Sequence, residues 1–353
     1  MTTRVVVCFT GGVGSQAIRL LSADPGYEVV GVLVHHEDKV GKDIGELVGI
    51  EPTGVTATRD VDALVALRAD GALWHSLSFD PQVVAKFLAA GTNVYSSIGG
   101  WYPPGLPEHE LLSTAAQTGG ATFVAGGNIP GLISDVLPLF VSGYSSQVRL
   151  IRAWQSDYVP NYPSALQLEL GLGIGVPPDT SGELSDVDKQ WLWGIGESAK
   201  IVADGLGLPL TDVRLTNKEF ANTPEDMELS PSGYRVAAGT PAGVRWTFTA
   251  FTTDDVPFFE LVNEQTVRLG LGEGWRASGD EPNWRVEVVG TPTLTCVVDL
   301  PHDHSDGLDP VSALNAARGV NFLPRLIAAE PGLCTVLDLP APRAATLRLG
   351  GSA

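Results

Sequence analysis

The chain has 353 residues, 44% of them hydrophobic, and a formal net charge of −19 at pH 7. That length and apolar content suffice for two domains with buried cores. So acidic a surface repels phosphate backbones and anionic lipids, so neither nucleic acid nor a membrane is an expected partner. Cys8, Cys296 and Cys334 stand far apart, with neither disulfide-framework nor zinc spacing, which fits a reducing compartment. The N-terminal MTTRVVV enters an apolar run directly. No secretory leader or spanning run of about 20 apolar residues appears, and a soluble cytoplasmic protein is expected.

In chain order, Arg4 to Leu21, RVVVCFTGGVGSQAIRLL, reads as a buried strand, a glycine turn and a helix start. That is the order of a dinucleotide-binding βα unit. Gly11, Gly12 and Gly14 let the backbone turn sharply and approach a pyrophosphate, which Thr10, Val13 and the free N–H groups of the helix start would face. Phe9 occupies the place of the first glycine in G-x-G-x-x-G. A glycine-rich turn that binds nothing is the alternative.

Further strands are expected at Tyr27 to His35, Gly71 to Ser78, Thr92 to Ser97 and Ala121 to Gly127. Helices are expected between them, at Val61 to Ala69, Pro81 to Gly91 and Leu106 to Gly119. Such alternation predicts a doubly wound parallel sheet, a Rossmann domain over residues 1–135. After Asp135 the texture changes. VRLIRAWQSDYV reads as a strand and SDVDKQWLWGIGESAKIVADGLG as a long helix. Strand patterns follow at Gly243 to Thr252, Phe258 to Val267, Trp284 to Gly290 and Thr291 to Leu300. They predict an α+β domain over 136–307 with an open, mostly antiparallel sheet. A helix and tail over 308–353 complete the chain.

In open α/β sheets ligands bind at the carboxyl ends of strands. The end of the second strand carries His35, His36, Glu37, Asp38 and Lys39. His36 and Lys39 could meet a 2′-phosphate, which leans toward NADP, while Glu37 keeps NAD open; a plain solvated loop is the alternative. His75, Ser76 and Leu77, then Ser97 and Ile98, should lie along the ribose and nicotinamide, with Gly127 and Asn128 near the carboxamide. His75, after Trp74 in an apolar strand, fits a packed structural histidine equally well.

Hydride transfer needs an accompanying proton. Glu108, Asp157 and Tyr158 are the candidate catalytic residues. Trp101, Tyr102, His109, Trp154 and Tyr162 would line a substrate pocket. Each has a plainer reading: Pro107 to Glu110 as an acidic first helical turn, Asp157 and Tyr158 as a polar strand end, the aromatics as core. His302, Asp303, His304, Asp306 and Asp309 lie in a loop without a helical histidine pair, and no metal is expected. A G-x-S-x-G elbow, a Walker lysine and a cysteine nucleophile context are all missing, so hydrolase and phosphotransferase chemistry lack support.

Five segments in order carry a resemblance: TGGVGSQAIR, Asp38 to Thr58, Gly127 to Pro138, VEVVGTPTL, and Ala317 to Pro340. Through them the chain resembles the dihydrodipicolinate-reductase-like oxidoreductases, in the branch of 2,4-diaminopentanoate dehydrogenase and the native amine dehydrogenases. The resemblance implies a Rossmann domain, an α+β domain, and a C-terminal helix returning to the first. It also implies NAD(P)-dependent hydride transfer to or from a small carbonyl or imine centre, and a homodimer formed through the second domain's sheet. Three departures stand out. Phe9 replaces a glycine, Gly99 and Gly100 replace the acidic pair of the amine-dehydrogenase branch, and Ile129 replaces a polar residue before Pro-Gly. They keep open a second expectation, a non-catalytic NAD(P)-binding sensor or scaffold.

Overall fold

The computed structural model describes residues 2–162, 164–178, 182–276, 284–300 and 309–344. β1 (Thr3–Cys8) ends in four fully buried residues, Val5 to Cys8, the continuous apolar run of a strand covered on both faces. It leads into α1 (Gly12–Ser22), β2 (Tyr27–Leu33), α2 (Ile44–Val48), β3 (Ala57–Thr58) and α3 (Val61–Ala66). β4 (Gly71–Trp74), α4 (Pro81–Ala89), β5 (Asn93–Ser96), α5 (His109–Gly119) and β6 (Thr122–Ala125) follow. Local chemistry sets several boundaries. Asp60 caps α3 by accepting from the Ala63 N–H at 3.0 Å, and Asp80 followed by Pro81 starts α4; Gly120, at φ 65°, ends α5.

Beyond Ile129 a π-helical turn (Leu132–Val136) runs into α6 (Leu137–Ser142), β7 (Ser146–Tyr158), α7 (Ala165–Leu172) and α8 (Asp186–Leu206). β8 (Asp212–Asn222), β9 (Met227–Leu229), β10 (Tyr234–Val236), β11 (Pro241–Phe251), β12 (Pro257–Thr266), β13 (Trp284–Thr291) and β14 (Leu294–Val298) complete this part. α9 (Pro310–Ile327) and β15 (Gly332–Cys334) close the chain. Two compact units result. One takes the N-terminal residues through Asn128 together with the C-terminal segment, the other starts at Ile129.

The first unit is a seven-stranded sheet in the order β15-β6-β5-β4-β1-β2-β3, parallel throughout. Reversal of strand order at β1 makes it Rossmann-like, with the switch point beside the glycine turn. α9 belongs to this unit, packing Ala316, Val320 and Leu323 into the same core as Val5, Ile18 and Leu73. Two small residues permit that approach. A Cβ on Gly12 would lie 2.7 Å from Ser312 Oγ of α9, and one on Gly319 would lie 3.2 Å from His75 and Tyr95.

The second unit is a six-stranded sheet, β14-β13-β7-β12-β11-β8. It is antiparallel except for the β7–β12 pair, which is parallel. α8 is tied to it through Asp188, which accepts from Trp246 Nε1 at 2.8 Å and pairs with Lys218 at 2.7 Å. The opposite face carries ion pairs in rows: Arg152 with Glu260 at 2.6 Å, Arg285 with Glu287 at 3.0 Å, and Arg245 with Glu219 and Glu264. Among the described residues no helix is long and apolar enough to cross a membrane.

Candidate cofactor turn and acid sites

The turn between β1 and α1 is shaped by two carbonyl constraints. Phe9 sits at φ 77°, a left-handed conformation that costs a non-glycine residue roughly 1–2 kcal/mol. Its N–H donates to the Leu33 carbonyl at 2.8 Å, and its ring meets His35 and Trp74 near right angles, at 5.7 and 5.2 Å between centroids. Gly14 then passes directly over Phe9, where a Cβ would come within 2.0 Å of the Phe9 carbonyl oxygen. At Gly11 the surroundings are open, with nothing within 4 Å of a Cβ. No side chain caps α1, so its first N–H groups are available to an anion. An open glycine at an uncapped helix start fits a dinucleotide pyrophosphate.

At the ends of β2 and β3 the charges are arranged in pairs. Lys39 Nζ donates to Thr10 Oγ1 at 2.9 Å, which ties the strand-two loop to the glycine turn. Glu37 pairs with Arg59 at 2.5 Å. His35 and His36 are exposed beside them. Arg59 is absent from the expected set because β3 is two residues long, too short to show any periodicity.

His75 and Ser97 meet at the ends of β4 and β5, with Nδ1 3.0 Å from Ser97 Oγ. His75 is 6% exposed, its Nε2 has no partner among the described residues, and burial pushes its pKa down to about 3. A free histidine titrates near 6.5, so folding favours the neutral ring. That stabilisation is complete above about pH 6.5 and is lost as the pH falls toward 3. Melting curves between pH 7 and 4 should therefore fall more steeply for the wild type than for His75→Leu. Equal slopes would assign the acid lability to other groups.

Elsewhere on this edge, Leu77 is 80% exposed, Ser76 Oγ accepts from the Ser78 N–H at 3.3 Å, and Ile98 accepts at its carbonyl from Ser96 Oγ at 2.6 Å. Gly127 is buried, and Asn128 accepts from Asn315 of α9 at 3.2 Å.

The positions at which the resemblance implies an acidic pair are closed. Gly99 and Gly100 have φ of 72° and 77°, and their Cβ atoms would fall 2.5 Å from Phe79 and 2.6 Å from Phe123. Trp101 is buried, and Tyr102 precedes a short 3-10 turn. Glu108 takes the N-cap position of α5 without making a capping bond. Next to it His109 Nδ1 lies 2.9 Å from the Pro103 carbonyl.

In the second unit, Asp157 and Tyr158 are neighbours in β7 and so point to opposite faces of the sheet. Asp157, 8% exposed, receives Trp284 Nε1 on one oxygen at 2.8 Å and Gln155 and Gln265 on the other at 2.5 and 3.0 Å. Trp154 lies on the other face, under Arg276 and Arg285. Tyr162 packs with Leu168 and Leu172. Absent from the expected set is a buried polar group at the π-helical turn, where Ser198 donates to Asp135 at 3.0 Å and lies 2.8 Å from Ser134. Such turns recur at functional sites, and only the tertiary packing of α8 assembles this one.

Among the described residues no three His, Cys, Asp or Glu side chains gather as metal ligands. His302, Asp303, His304 and Asp306 lie outside the described residues. Asp309 is the N-cap of α9, accepting from the Ser312 N–H at 3.0 Å.

With this geometry in place, comparison with known proteins is specific. Residues 3–89 match the family model of the dihydrodipicolinate reductase N-terminus, and residues 132–349 that of the 2,4-diaminopentanoate dehydrogenase C-terminal domain. The chain is 27% identical to an amine dehydrogenase of Streptomyces virginiae, over 98% of each chain. It is 26% identical to the 2,4-diaminopentanoate dehydrogenase of Acetoanaerobium sticklandii, over 97% of this chain and 94% of that one. The solved structure of an amine dehydrogenase from Mycobacterium smegmatis superimposes with a TM-score of 0.75 at 20% identity, covering 97% of each chain. Since the second family model alone spans more than half of the residues, the chain belongs to the 2,4-diaminopentanoate dehydrogenase family, within the dihydrodipicolinate-reductase-like oxidoreductases.

Proposed function

We propose that the chain is an NAD(P)-dependent dehydrogenase or reductase that moves a hydride to or from a small carbonyl or imine centre. The observation that carries this reading is the open, uncapped glycine turn at the switch point of the parallel sheet, in a member of a dehydrogenase family. Thr10, Gly11 and Val13 would hold the pyrophosphate, Lys39 and His36 the 2′ position with a lean toward NADP, and Ser97, Gly127 and Asn128 the nicotinamide half. When bound, the nicotinamide supplies or accepts the hydride. The chain's own task is to place the substrate and move a proton. Glu108 is the first candidate for that proton, because its carboxylate is not engaged in capping the helix it begins. Asp157 already takes N–H donors on both oxygens, which suits a fixed acceptor. A homodimer and a cytoplasmic setting belong to the same reading, and light scattering tests the first.

Purified protein should change nicotinamide absorbance with a member of a panel of ketones plus ammonia, amines or alcohols. Glu108→Gln should then lower kcat about 100-fold, the scale of a general acid, with the cofactor Kd unchanged. Loss of activity in Asp157→Asn instead of Glu108→Gln would transfer the role.

Closure of Gly99 and Gly100 by Phe79 and Phe123 favours a second reading. In it the protein binds NAD(P) as a sensor or scaffold without turnover. Tight cofactor binding with no turnover across the whole panel would select it.

A further inference from the structure

We infer that Ser97, oriented by His75, is the hydrogen-bond donor to the reacting oxygen, so that the substrate is a neutral aldehyde or ketone and the product an alcohol, not an amine. The inference rests on the dehydrogenase reading and narrows it. Ser97 is half-buried directly after β5, two residues before the closed position Gly99, on the edge where ligands of open parallel sheets bind. Its backbone N–H donates to the Trp74 carbonyl at 3.0 Å. Its hydroxyl donates to the same carbonyl at 3.3 Å, and that long bond can be given up without stranding the acceptor. With the hydroxyl proton on Trp74, His75 is the donor through Nδ1, which lies 3.0 Å from Ser97 Oγ. The histidine ring is itself fixed, edge-on to Tyr95 at 6.4 Å between centroids and beside Gly319 of α9. Ser97 is thus a held oxygen whose proton alone swings. The neighbouring hydroxyls lack this arrangement. Ser96 is buried and donates to the Ile98 carbonyl at 2.6 Å, and Ser76 Oγ takes the Ser78 N–H at 3.3 Å with no second partner among the described residues.

A hydride arriving at a carbonyl carbon pushes the π pair onto oxygen, which gains negative charge and then takes one proton, assigned above to Glu108, to become a hydroxyl. A neutral O–H donor aimed at that oxygen stabilises the charge as it develops. A protonated imine behaves oppositely: its nitrogen has no lone pair to accept from Ser97, and its positive charge disappears as the hydride adds. It calls for a carboxylate beside the nitrogen. At Gly99 and Gly100, where the resemblance implies one, Phe79 and Phe123 leave no room for a side chain. His75 supplies no charge either, because burial pushes its pKa down to about 3 and keeps the ring neutral. Its Nε2 has no partner among the described residues, which leaves the contact with Ser97 as the polar role of the ring.

Product analysis by mass spectrometry, with the full chain, NADPH or NADH and a panel of aldehydes and ketones, with and without ammonia, tests this. Alcohol should form at the same rate in both conditions, and no amine. Ser97→Ala should lower kcat for carbonyl reduction about 100-fold, the scale of one lost oxyanion donor. The NADPH Kd, read by reduced-nicotinamide fluorescence, should move far less. His75→Leu should lose part of the rate, and His75→Asn, whose side-chain N–H takes the place of Nδ1, should recover it; a packing role would follow the melting temperature instead. Amine as the main product with ammonia, full kcat in Ser97→Ala, or a loss in Ser76→Ala in its place would overturn the inference and leave the dehydrogenase reading standing. A chain inert across the whole panel would overturn both.

Discussion

Gly14→Ala is expected to abolish saturable NAD(P)H binding and lower the melting temperature, while Gly11→Ala weakens binding with the fold intact. The two glycines lie three residues apart in one turn, yet they face different things. A Cβ at Gly14 would stand 2.0 Å from the Phe9 carbonyl oxygen, a backbone atom that cannot rotate away. Relief requires α1 to lift from β1, which disturbs the core through Ala17, Ile18 and Leu21. Overpacking of this kind costs about 1–3 kcal/mol or more, which is a melting-temperature loss of roughly 1–4 °C or more for a chain this long. At Gly11 a Cβ meets nothing within 4 Å and the backbone, at φ −76°, suits alanine. A methyl there costs the helix start at most about 1 kcal/mol but occupies the space through which a pyrophosphate reaches the uncapped N–H groups. Differential scanning fluorimetry with and without NADPH separates the cases. Unchanged nucleotide affinity in Gly11→Ala would move the cofactor away from this turn.

Placing an acid where the resemblance implies one should fail. Gly100→Glu and Gly99→Glu are expected to destabilise the first unit by several kcal/mol and to add no amine-forming activity. Both positions hold left-handed backbone, which costs a side chain about 1–2 kcal/mol. Both also face a phenylalanine ring well inside van der Waals distance, Phe79 or Phe123, which adds an overpacking cost of about 1–3 kcal/mol. Phe79 and Phe123 themselves pack together at 5.8 Å between centroids, so neither ring can retreat without opening the other. Gly100→Glu combined with Phe123→Leu makes room. A gain of reductive amination in the single Gly100→Glu variant, at unchanged stability, would show that Phe79 and Phe123 do not seal these positions.

What could be read from the chain alone follows the range of the forces involved. RVVVCFTGGVGS announces a strand, a tight turn and a helix because the periodicity of buried strands and the freedom of glycine are local properties. The same holds for β4, α4, β5 and α5, whose alternation implied a parallel sheet before any contact was known. The faces of β7 were also available locally. Side chains alternate along a strand, so Asp157 and Tyr158 leave opposite faces of β7. Arg59 was not available, because Ala57–Thr58 is a strand only by virtue of lying against Val32 and Leu33.

The amino-acid sequence by itself determined the glycine turn and the alternating order of the first unit, since these depend on residue spacing, and it carried the resemblance that pointed to the family. The resemblance already implied a C-terminal helix returning to the first unit; the tertiary structure decided where it packs, with Ser312 of α9 against Gly12 and Gly319 against His75 and Tyr95. It alone decided that Gly99 and Gly100 are backed by Phe79 and Phe123, and that Glu37 is paired with Arg59. The physical reason is the same in each case: a side chain's partner across space is chosen by packing and charge between segments distant along the chain, and spacing along one segment carries no record of it.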